Sequence, residues 1–201
     1  MTSVRRNLVL AVLGILMPLA LGPSIGLAPA EAEDVSGPSP VGPPPPEPDT
    51  YRTNVYRSPV PLTLKGATVL SSGEAMKIWS EKRAVFIDVY PHPPKPAGLP
   101  AGTLWREPSH MSIENAVWLP NVGFGVLSPQ YDDYFRRNLK MLTGGDQAKP
   151  IVFFCLRNCW MSWNAAKRAL SYGYSHVFWY RDGTDGWQES GGLVVSAHPL
   201  P

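Results

Sequence analysis

The sequence predicts a single α/β domain built on a parallel sheet, because short apolar runs alternate with helical patterns. The chain has 201 residues, which is enough for one or at most two domains. Continuous apolar runs, typical of strands that are buried on both faces, lie at residues 84–89, 116–119, 151–154 and 177–180. Because parallel strands at this spacing need crossover connections, we expect one α/β domain over residues 51–201.

Three segments between these runs carry start and stop signals of helices. The first, over residues 71–80, opens with a Ser-x-x-Glu capping box. The second begins at Pro129, a residue type that fits the first helical position, and ends at Gly144. The third is predicted over residues 161–172, where alanines and a leucine form an apolar stripe.

Residues 1–32 have the pattern of a cleavable export signal. Arg5 and Arg6 precede an apolar run over residues 8–21, and Ala30-Glu31-Ala32 fits a small-residue cleavage site. The run is short for a bilayer span, although a retained membrane anchor is the alternative. We expect a mature protein that begins at Glu33 and lies in the periplasm, an oxidising compartment.

Residues 33–50 are predicted to form a disordered linker. Seven of the chain's 23 prolines lie between Pro38 and Pro48. Such a segment cannot bury enough apolar surface to offset the entropy of ordering it, so we expect an extended tether of the polyproline type.

Charge and cysteine content exclude several classes of function. The chain has 18 basic and 16 acidic side chains, and this near balance argues against a nucleic-acid partner. Two cysteines, Cys155 and Cys159, are too few for a four-cysteine zinc site within this chain. The four histidines show no metal-ligand spacing with them, so no metal site is predicted.

The residues best suited to chemistry lie in one loop after the apolar run at 151–154. Cys155 follows the run directly, Cys159 stands four residues later, and a helix comes next. Ligands bind at the carboxyl ends of parallel strands, and a helix N-terminus favours a thiolate. In an exported protein the pair is either redox-active or a structural disulfide, and both uses stay open. The candidate catalytic residues are Cys155 and Cys159, and the candidate substrate-binding residues are Leu156, Arg157, Asn158 and Trp160.

Four stretches resemble a rhodanese domain, over roughly residues 68–193. They are the strand that contains Asp88, residues 113–120, Cys155 with the helix after it, and residues 180–187. The resemblance implies a five-stranded parallel sheet with helices on both faces. More narrowly, the Cys-Trp pair, the export signal and residues 180–187 resemble the CXXCW-motif proteins associated with PQQ-dependent alcohol catabolism, although three residues separate the cysteines here.

The rhodanese resemblance implies a sulfurtransferase. Cys155 would attack a sulfane sulfur donor, carry a persulfide and pass the sulfur to an acceptor thiol, with Asp88 in a supporting role. Cys159 would resolve the adduct, and Trp160 would cover the pair and restrict water. The loop is one residue longer than in rhodaneses and no arginine ends it, which disfavours a phosphatase.

The rhodanese and CXXCW-motif resemblances together imply the expected partners. We expect a small sulfur donor or thiol, and a periplasmic PQQ-dependent alcohol dehydrogenase or its cytochrome. No covalently bound cofactor is expected, and PQQ enters only by pathway association. The alternative is a non-catalytic module in which a structural Cys155–Cys159 disulfide supports the binding of a periplasmic dehydrogenase, a cytochrome or a small ligand.

Overall fold

A five-stranded sheet forms the centre of the fold in the computed structural model, which describes residues 39–93, 95–106 and 108–201. The predicted export signal and residues 33–38 of the predicted linker lie outside the described residues. The elements in chain order are β1 (Thr68–Val69), α1 (Ser72–Ser80), β2 (Val85–Asp88), β3 (His110–Ile113), β4 (Val117–Trp118), α2 (Pro129–Thr143), β5 (Ile151–Phe154), α3 (Trp160–Ser171), β6 (Val177–Tyr180), α4 (Gly183–Glu189) and β7 (Val194–Ala197).

The strands of the central sheet run in the order β1-β6-β5-β2-β4 and all pair in parallel. Strand β5 is the middle strand, and its four residues are completely buried, which explains its unbroken apolar sequence. The predicted α/β class, the single domain and the five-stranded parallel sheet are confirmed.

Helices cover both faces of the sheet, as expected. On one face, Ile87 and Phe153 pack in a cluster with residues of α2 and α3 such as Phe135. On the other face, Phe86 packs with α1 and with Trp187 of α4. Neighbouring residues of one strand enter opposite clusters because successive side chains of a strand point to opposite faces.

The three predicted helices are present, with small differences at their ends. Helix α1 starts with the expected capping box of Ser71 and Glu74. Helix α2 has proline at its first position and ends at Gly144 in the left-handed conformation. Helix α3 begins one residue earlier than predicted, at Trp160. No helix of the described residues is long and apolar enough to cross a bilayer.

A two-stranded antiparallel sheet, β3 with β7, lies outside the central sheet and was not predicted. Strand β3 brings His110 and Ser112 to the carboxyl end of β2, where Asp88 lies. This small sheet therefore supplies side chains to the same edge of the domain as the cysteine-containing loop.

Residues 39–50, the described part of the predicted linker, contact the domain. The Glu47 carboxylate accepts hydrogen bonds from Thr63 Oγ1 at 2.6 Å and from the Lys65 N–H at 2.7 Å. At the start of the segment, the Pro40 carbonyl accepts a hydrogen bond from Asn158. The domain boundary expected near residue 50 stays a prediction.

Candidate active site

The loop between β5 and α3, residues 155–159 (the cysteine loop), brings both thiols together. The Sγ atoms of Cys155 and Cys159 lie 2.7 Å apart, and each residue is only 1% exposed. The S–S bond of a disulfide is about 2.05 Å long, so the two sulfurs need only a small movement to be joined.

The two thiols differ in their electrostatic surroundings. Burial raises the pKa of Cys155, and the neighbouring Cys159 sulfur and Asp88 carboxylate add to this effect. Burial opposes ionisation of Cys159 too, but the hydrogen bond from Cys155, the Met161 N–H and the charge of Arg57 lower the pKa of Cys159 overall. The resemblance implied that Cys155 attacks, whereas these surroundings favour negative charge on Cys159.

An extended segment, residues 56–59 (the N-terminal strap), crosses the cysteine loop. Arg57 pairs with Cys159 as an antiparallel bridge. The Tyr56 carbonyl accepts a hydrogen bond from the Trp160 N–H at 2.9 Å, and the Ser58 N–H donates to the Asn158 carbonyl at 3.1 Å. The strap therefore satisfies backbone groups at the start of α3 and lies alongside Cys159.

Asn158 connects the loop to a second part of the N-terminal segment. Its side-chain amide donates to the Pro40 carbonyl at 2.7 Å. Its backbone is left-handed, with φ of 55°, a conformation that asparagine tolerates better than most residues. Sequence reasoning placed Asn158 at the substrate, and the structure shows it holding the N-terminal segment.

Arg157 points to α4, where acidic side chains surround it. Its guanidinium forms a two-fold hydrogen bond with the Glu189 carboxylate, with one N–O distance of 2.7 Å, and lies 3.7 Å from Asp182. Its N–H donates to Asp185 at 3.0 Å. The Glu189 hydrogen bond raises the pKa of Arg157 above its usual range, so this side chain is a cation paired within the protein.

The two other candidate residues of the loop differ in position. The Trp160 indole N–H donates to Ser58 Oγ at 2.9 Å, and the ring packs edge-on against Trp163 at 5.4 Å. The ring is therefore part of the contact between strap and helix. Leu156 is half-buried, forms a bridge with Gly183 and lines a cleft next to the loop.

Asp88 is completely buried and accepts hydrogen bonds from three groups. His110 Nε2 lies 2.7 Å and Ser112 Oγ 2.6 Å from Asp88 Oδ2, while the Tyr90 N–H donates to Oδ1 at 2.8 Å. The expected supporting position of Asp88 beside the loop is consistent with its electrostatic effect on Cys155.

Sequence reasoning missed two parts of this site, the strap and His110. The strap meets the loop from about one hundred positions away, as in the Trp160–Ser58 bond between residues 102 positions apart. No local pattern reports such a contact. His110 stands three residues before the stretch 113–120 that resembles a rhodanese domain, and Ser112 follows it two residues later. Only the fold shows that both side chains reach Asp88.

A cleft of about 620 Å³ opens beside the loop, bounded by Leu156 and Arg157 on one side and by His110 on the other. Both cysteines are buried, and neither lines the cleft. Among the described residues, no cluster of three or more histidine, cysteine or carboxylate side chains is arranged to hold a metal ion.

A sequence model of the Rhodanese-like domain family matches residues 73–190. The chain belongs to the rhodanese-like family. The match includes β2 with Asp88, the cysteine loop, α3 and α4, whereas the strap lies before it. No match was found among curated proteins.

Three solved structures are similar to this chain at low sequence identity. A thiosulfate sulfurtransferase from Pseudomonas aeruginosa is 16% identical with a TM-score of 0.45, and the match covers 66% of this chain and 21% of that chain. A polysulfide-sulfur transferase from Wolinella succinogenes is 20% identical with a TM-score of 0.41, over 65% of this chain and 79% of that one. An uncharacterized protein from Saccharomyces cerevisiae is 20% identical with a TM-score of 0.37, over 62% and 93%. The chain thus spans about a fifth of the length of the first of these proteins.

Proposed function

We propose that this rhodanese-like protein transfers sulfur through the Cys155/Cys159 pair. The observation that carries the proposal is the distance of 2.7 Å between the two sulfur atoms at the junction of β5 and α3. One thiol of the pair has a lowered pKa and the other a raised pKa. A nucleophilic thiolate and a second thiol that can resolve its adduct are therefore next to each other.

In the first step, the Cys159 thiolate attacks the outer sulfur of an anionic sulfane donor. With thiosulfate, a bond forms between the Cys159 sulfur and this outer sulfur, the donor's sulfur–sulfur bond breaks, and sulfite leaves with the electron pair. The product is a persulfide on Cys159. An acceptor thiolate that reaches the outer sulfur then takes it and releases the Cys159 thiolate.

The persulfide can also react with Cys155 instead of with an acceptor thiolate. The Cys155 sulfur attacks the inner sulfur of the persulfide, the Cys155–Cys159 disulfide forms, and hydrosulfide leaves with the electron pair and the Cys155 proton. The cysteine pair loses two electrons and the transferred sulfur gains them. Two thiols from outside the protein return the pair to its reduced form.

A non-catalytic binding module is the second candidate, and two observations favour it. Both cysteines are almost fully buried, and Arg157 is paired with Glu189 rather than directed to a ligand. In this alternative the Cys155–Cys159 disulfide is structural, and the cleft binds a small ligand, a dehydrogenase or a cytochrome.

We further propose a periplasmic location and a role beside PQQ-dependent alcohol oxidation, with the dehydrogenase or its cytochrome as partner. The support comes from sequence: the Cys159-Trp160 pair, residues 180–187 and the apolar run over residues 8–21. Sequencing the N-terminus of protein from a periplasmic fraction tests the location, and a first residue of Glu33 is expected.

Intact-mass spectrometry of the reduced protein treated with thiosulfate tests the sulfur-transfer proposal. We expect Cys155→Ser to gain one sulfur atom on Cys159, because the resolving thiol is absent. Wild type is expected to proceed to the disulfide, and Cys159→Ser to gain no sulfur. The double variant is the control for sulfur bound elsewhere.

Two other outcomes have definite meanings. A sulfur adduct in Cys159→Ser but not in Cys155→Ser keeps sulfur transfer and exchanges the roles of the cysteines. No adduct in either variant, with a disulfide whose reduction potential lies below about −300 mV, would overturn the proposal in favour of the binding module.

A further inference from the structure

His110 occupies a distinctive position between the cleft and a buried carboxylate. Its ring stacks on Tyr90 with centroids 4.5 Å apart and planes 9° apart, and it contacts Trp118 at 4.4 Å on a tilted plane. The residue is 8% exposed and lines the cleft beside the cysteine loop. The two aromatic side chains therefore hold the imidazole in one orientation.

The hydrogen bonds of Asp88 define the tautomer of this imidazole. Asp88 Oδ2 already accepts the Ser112 hydroxyl at 2.6 Å and lies 2.7 Å from His110 Nε2. A carboxylate only accepts, so Nε2 carries a hydrogen and, in the neutral ring, Nδ1 has a lone pair. Among the described residues, none is hydrogen-bonded to Nδ1. A base held by a buried carboxylate, with its second nitrogen available, is the arrangement that activates nucleophiles in many enzymes.

The charges around the cleft bear on what it accepts. Arg57 and Arg157 are its basic residues, and Asp185 and Glu189 of α4 are its acidic ones. Arg157 is paired with Glu189, and the Arg57 guanidinium donates to the Arg157 carbonyl. Because acidic and basic groups are in balance, the cleft does not require its ligand to be charged, so that an uncharged thiol can enter it.

We propose that His110, positioned by Asp88, is the base that deprotonates a neutral thiol entering this cleft to reduce the Cys155–Cys159 disulfide. This inference rests on the proposed function and adds the substrate class of its second half, an uncharged thiol. The neutral thiol needs such a base because the thiolate, and not the thiol, is the nucleophile.

The proposed step conserves protons and electrons. Nδ1 takes the proton of R–SH, and the R–S⁻ sulfur attacks the Cys155 sulfur. The bond between R–S and Cys155 forms, the Cys155–Cys159 bond breaks, and its electron pair leaves on Cys159, which has the lowered pKa of a good leaving group. Nδ1 then releases its proton to solvent and takes the proton of a second R–SH. The second R–S⁻ attacks the R–S sulfur of the mixed disulfide, the bond to Cys155 breaks with its electron pair left on Cys155, and R–S–S–R is released. Two thiols are therefore oxidised, and the pair is reduced and takes up protons from solvent.

The test is the rate at which neutral thiols of similar size reduce the oxidised full-length protein. Ethanethiol is largely protonated at neutral pH, whereas the electron-withdrawing fluorines of trifluoroethanethiol make it more acidic. We expect His110→Gln to lower the rate of disulfide reduction by ethanethiol roughly a hundredfold. The rate with trifluoroethanethiol should fall much less, because a base helps most where the thiol is protonated. In the variant, the rate with ethanethiol is expected to rise with pH until the free thiol ionises.

His92→Gln is the matched control, since His92 also packs against Trp118, at 5.3 Å, but does not line this cleft. It is expected to keep the wild-type rates and pH profile. Asp88→Asn, which preserves the side-chain shape, is expected to produce a smaller version of the His110→Gln effect. It also supplies the comparison if His110→Gln does not fold.

An equal loss with both thiols, or no loss, would overturn the role of His110 while leaving sulfur transfer intact. A wild-type disulfide that no thiol reduces, together with no sulfur uptake from thiosulfate, would overturn both proposals. If wild type takes up sulfur but its disulfide is reduced no faster than that of His110→Gln at neutral pH, this inference alone would be overturned.

Discussion

Helices α2 and α3 begin in opposite ways. The Ser128 hydroxyl accepts the N–H of Tyr131 at the start of α2, where proline fills the first helical position. Among the described residues, no side chain caps α3, whose preceding residue is Cys159. The first N–H of α3, from Trp160, instead bonds to the strap at Tyr56.

The start of α2 contributes to stability alone, whereas the start of α3 also holds a residue proposed to carry out chemistry. A serine cap satisfies helix N–H groups with a neighbour in sequence, and its contribution is local. At α3, the cap position is held by Cys159, and the backbone carbonyl of Tyr56 in the strap accepts the first helix N–H. The start of α3 therefore depends on parts of the fold that α2 does not need.

The largest expected effect comes from a glycine that packs on the cysteine loop. At Gly183, φ is +52° and an added Cβ would lie 2.1 Å from the Cys155 carbonyl oxygen. We expect Gly183→Ala to lower the free energy of unfolding by about 3 kcal/mol or more, because backbone must move. Gly144→Ala, at φ of +66° with nothing within 4 Å, is the control and is expected to cost about 1 kcal/mol. Urea denaturation measures both, and equal losses would contradict the dependence of the loop on α4.

The next effect concerns the charge that favours the Cys159 thiolate. Arg57→Gln removes a positive charge that lowers the pKa of Cys159, so this pKa is expected to rise. A thiol with a lowered folded-state pKa stabilises the fold above its unfolded pKa, and this contribution is lost as pH falls through the folded pKa. We expect thiolate absorbance to appear at higher pH in the variant, and less stability to be gained between neutral and alkaline pH. Arg52→Gln, another arginine of the N-terminal segment, is the control, and an identical shift in it would contradict a specific role of Arg57.

A smaller effect is expected at the start of α2. Ser128→Ala removes the side-chain cap and is expected to cost about 1 kcal/mol of unfolding free energy. Sulfur uptake from thiosulfate should be unchanged, because no residue of α2 lines the cleft beside the cysteine loop. Parallel denaturation and mass measurements check this, with Ser128→Asp as a variant that keeps a cap. A change in sulfur uptake with preserved stability would show that the two helix starts are not independent.

The smallest effect is expected from the ion pair between the loop and α4. Arg157→Gln breaks the contact with Glu189, whose side chain is 62% exposed. Exposed ion pairs contribute about 0.2–1 kcal/mol, and salt screens them, so we expect a loss within this range that shrinks at high salt. Denaturation at low and high salt measures it, and a loss that does not depend on salt would show that Arg157 acts through packing.

The features that could be predicted from the sequence are those that depend on residues close together in the chain. The capping box at Ser71, the Pro129 start and the apolar run of β5 each report a structure formed locally. Strands β1 and β4 have two residues each, which is too short for a clear hydrophobic pattern. Strand β7 is largely exposed, so its sequence has no buried apolar run. Helix α4 was missed because its glycines have low helix propensity.

In the candidate site too, local features were predicted and contacts between distant residues were not. The cysteines were found because strand, loop and helix follow one another in sequence. The pairing of Asp88 with His110 joins residues 22 positions apart through a sheet that was not predicted. The position of Arg157 against Glu189 depends equally on the unpredicted helix α4.

The strap has a consequence for the order of folding. Its contact from Ser58 to Trp160 closes a chain segment of 102 residues, and contacts over such separations form late and slowly. The cysteines are four residues apart and can meet within a loop that closes far faster. In an oxidising medium, the nascent chain is therefore expected to join its sulfurs before the strap arrives, so that the protein first completes its fold with the cysteine pair oxidised.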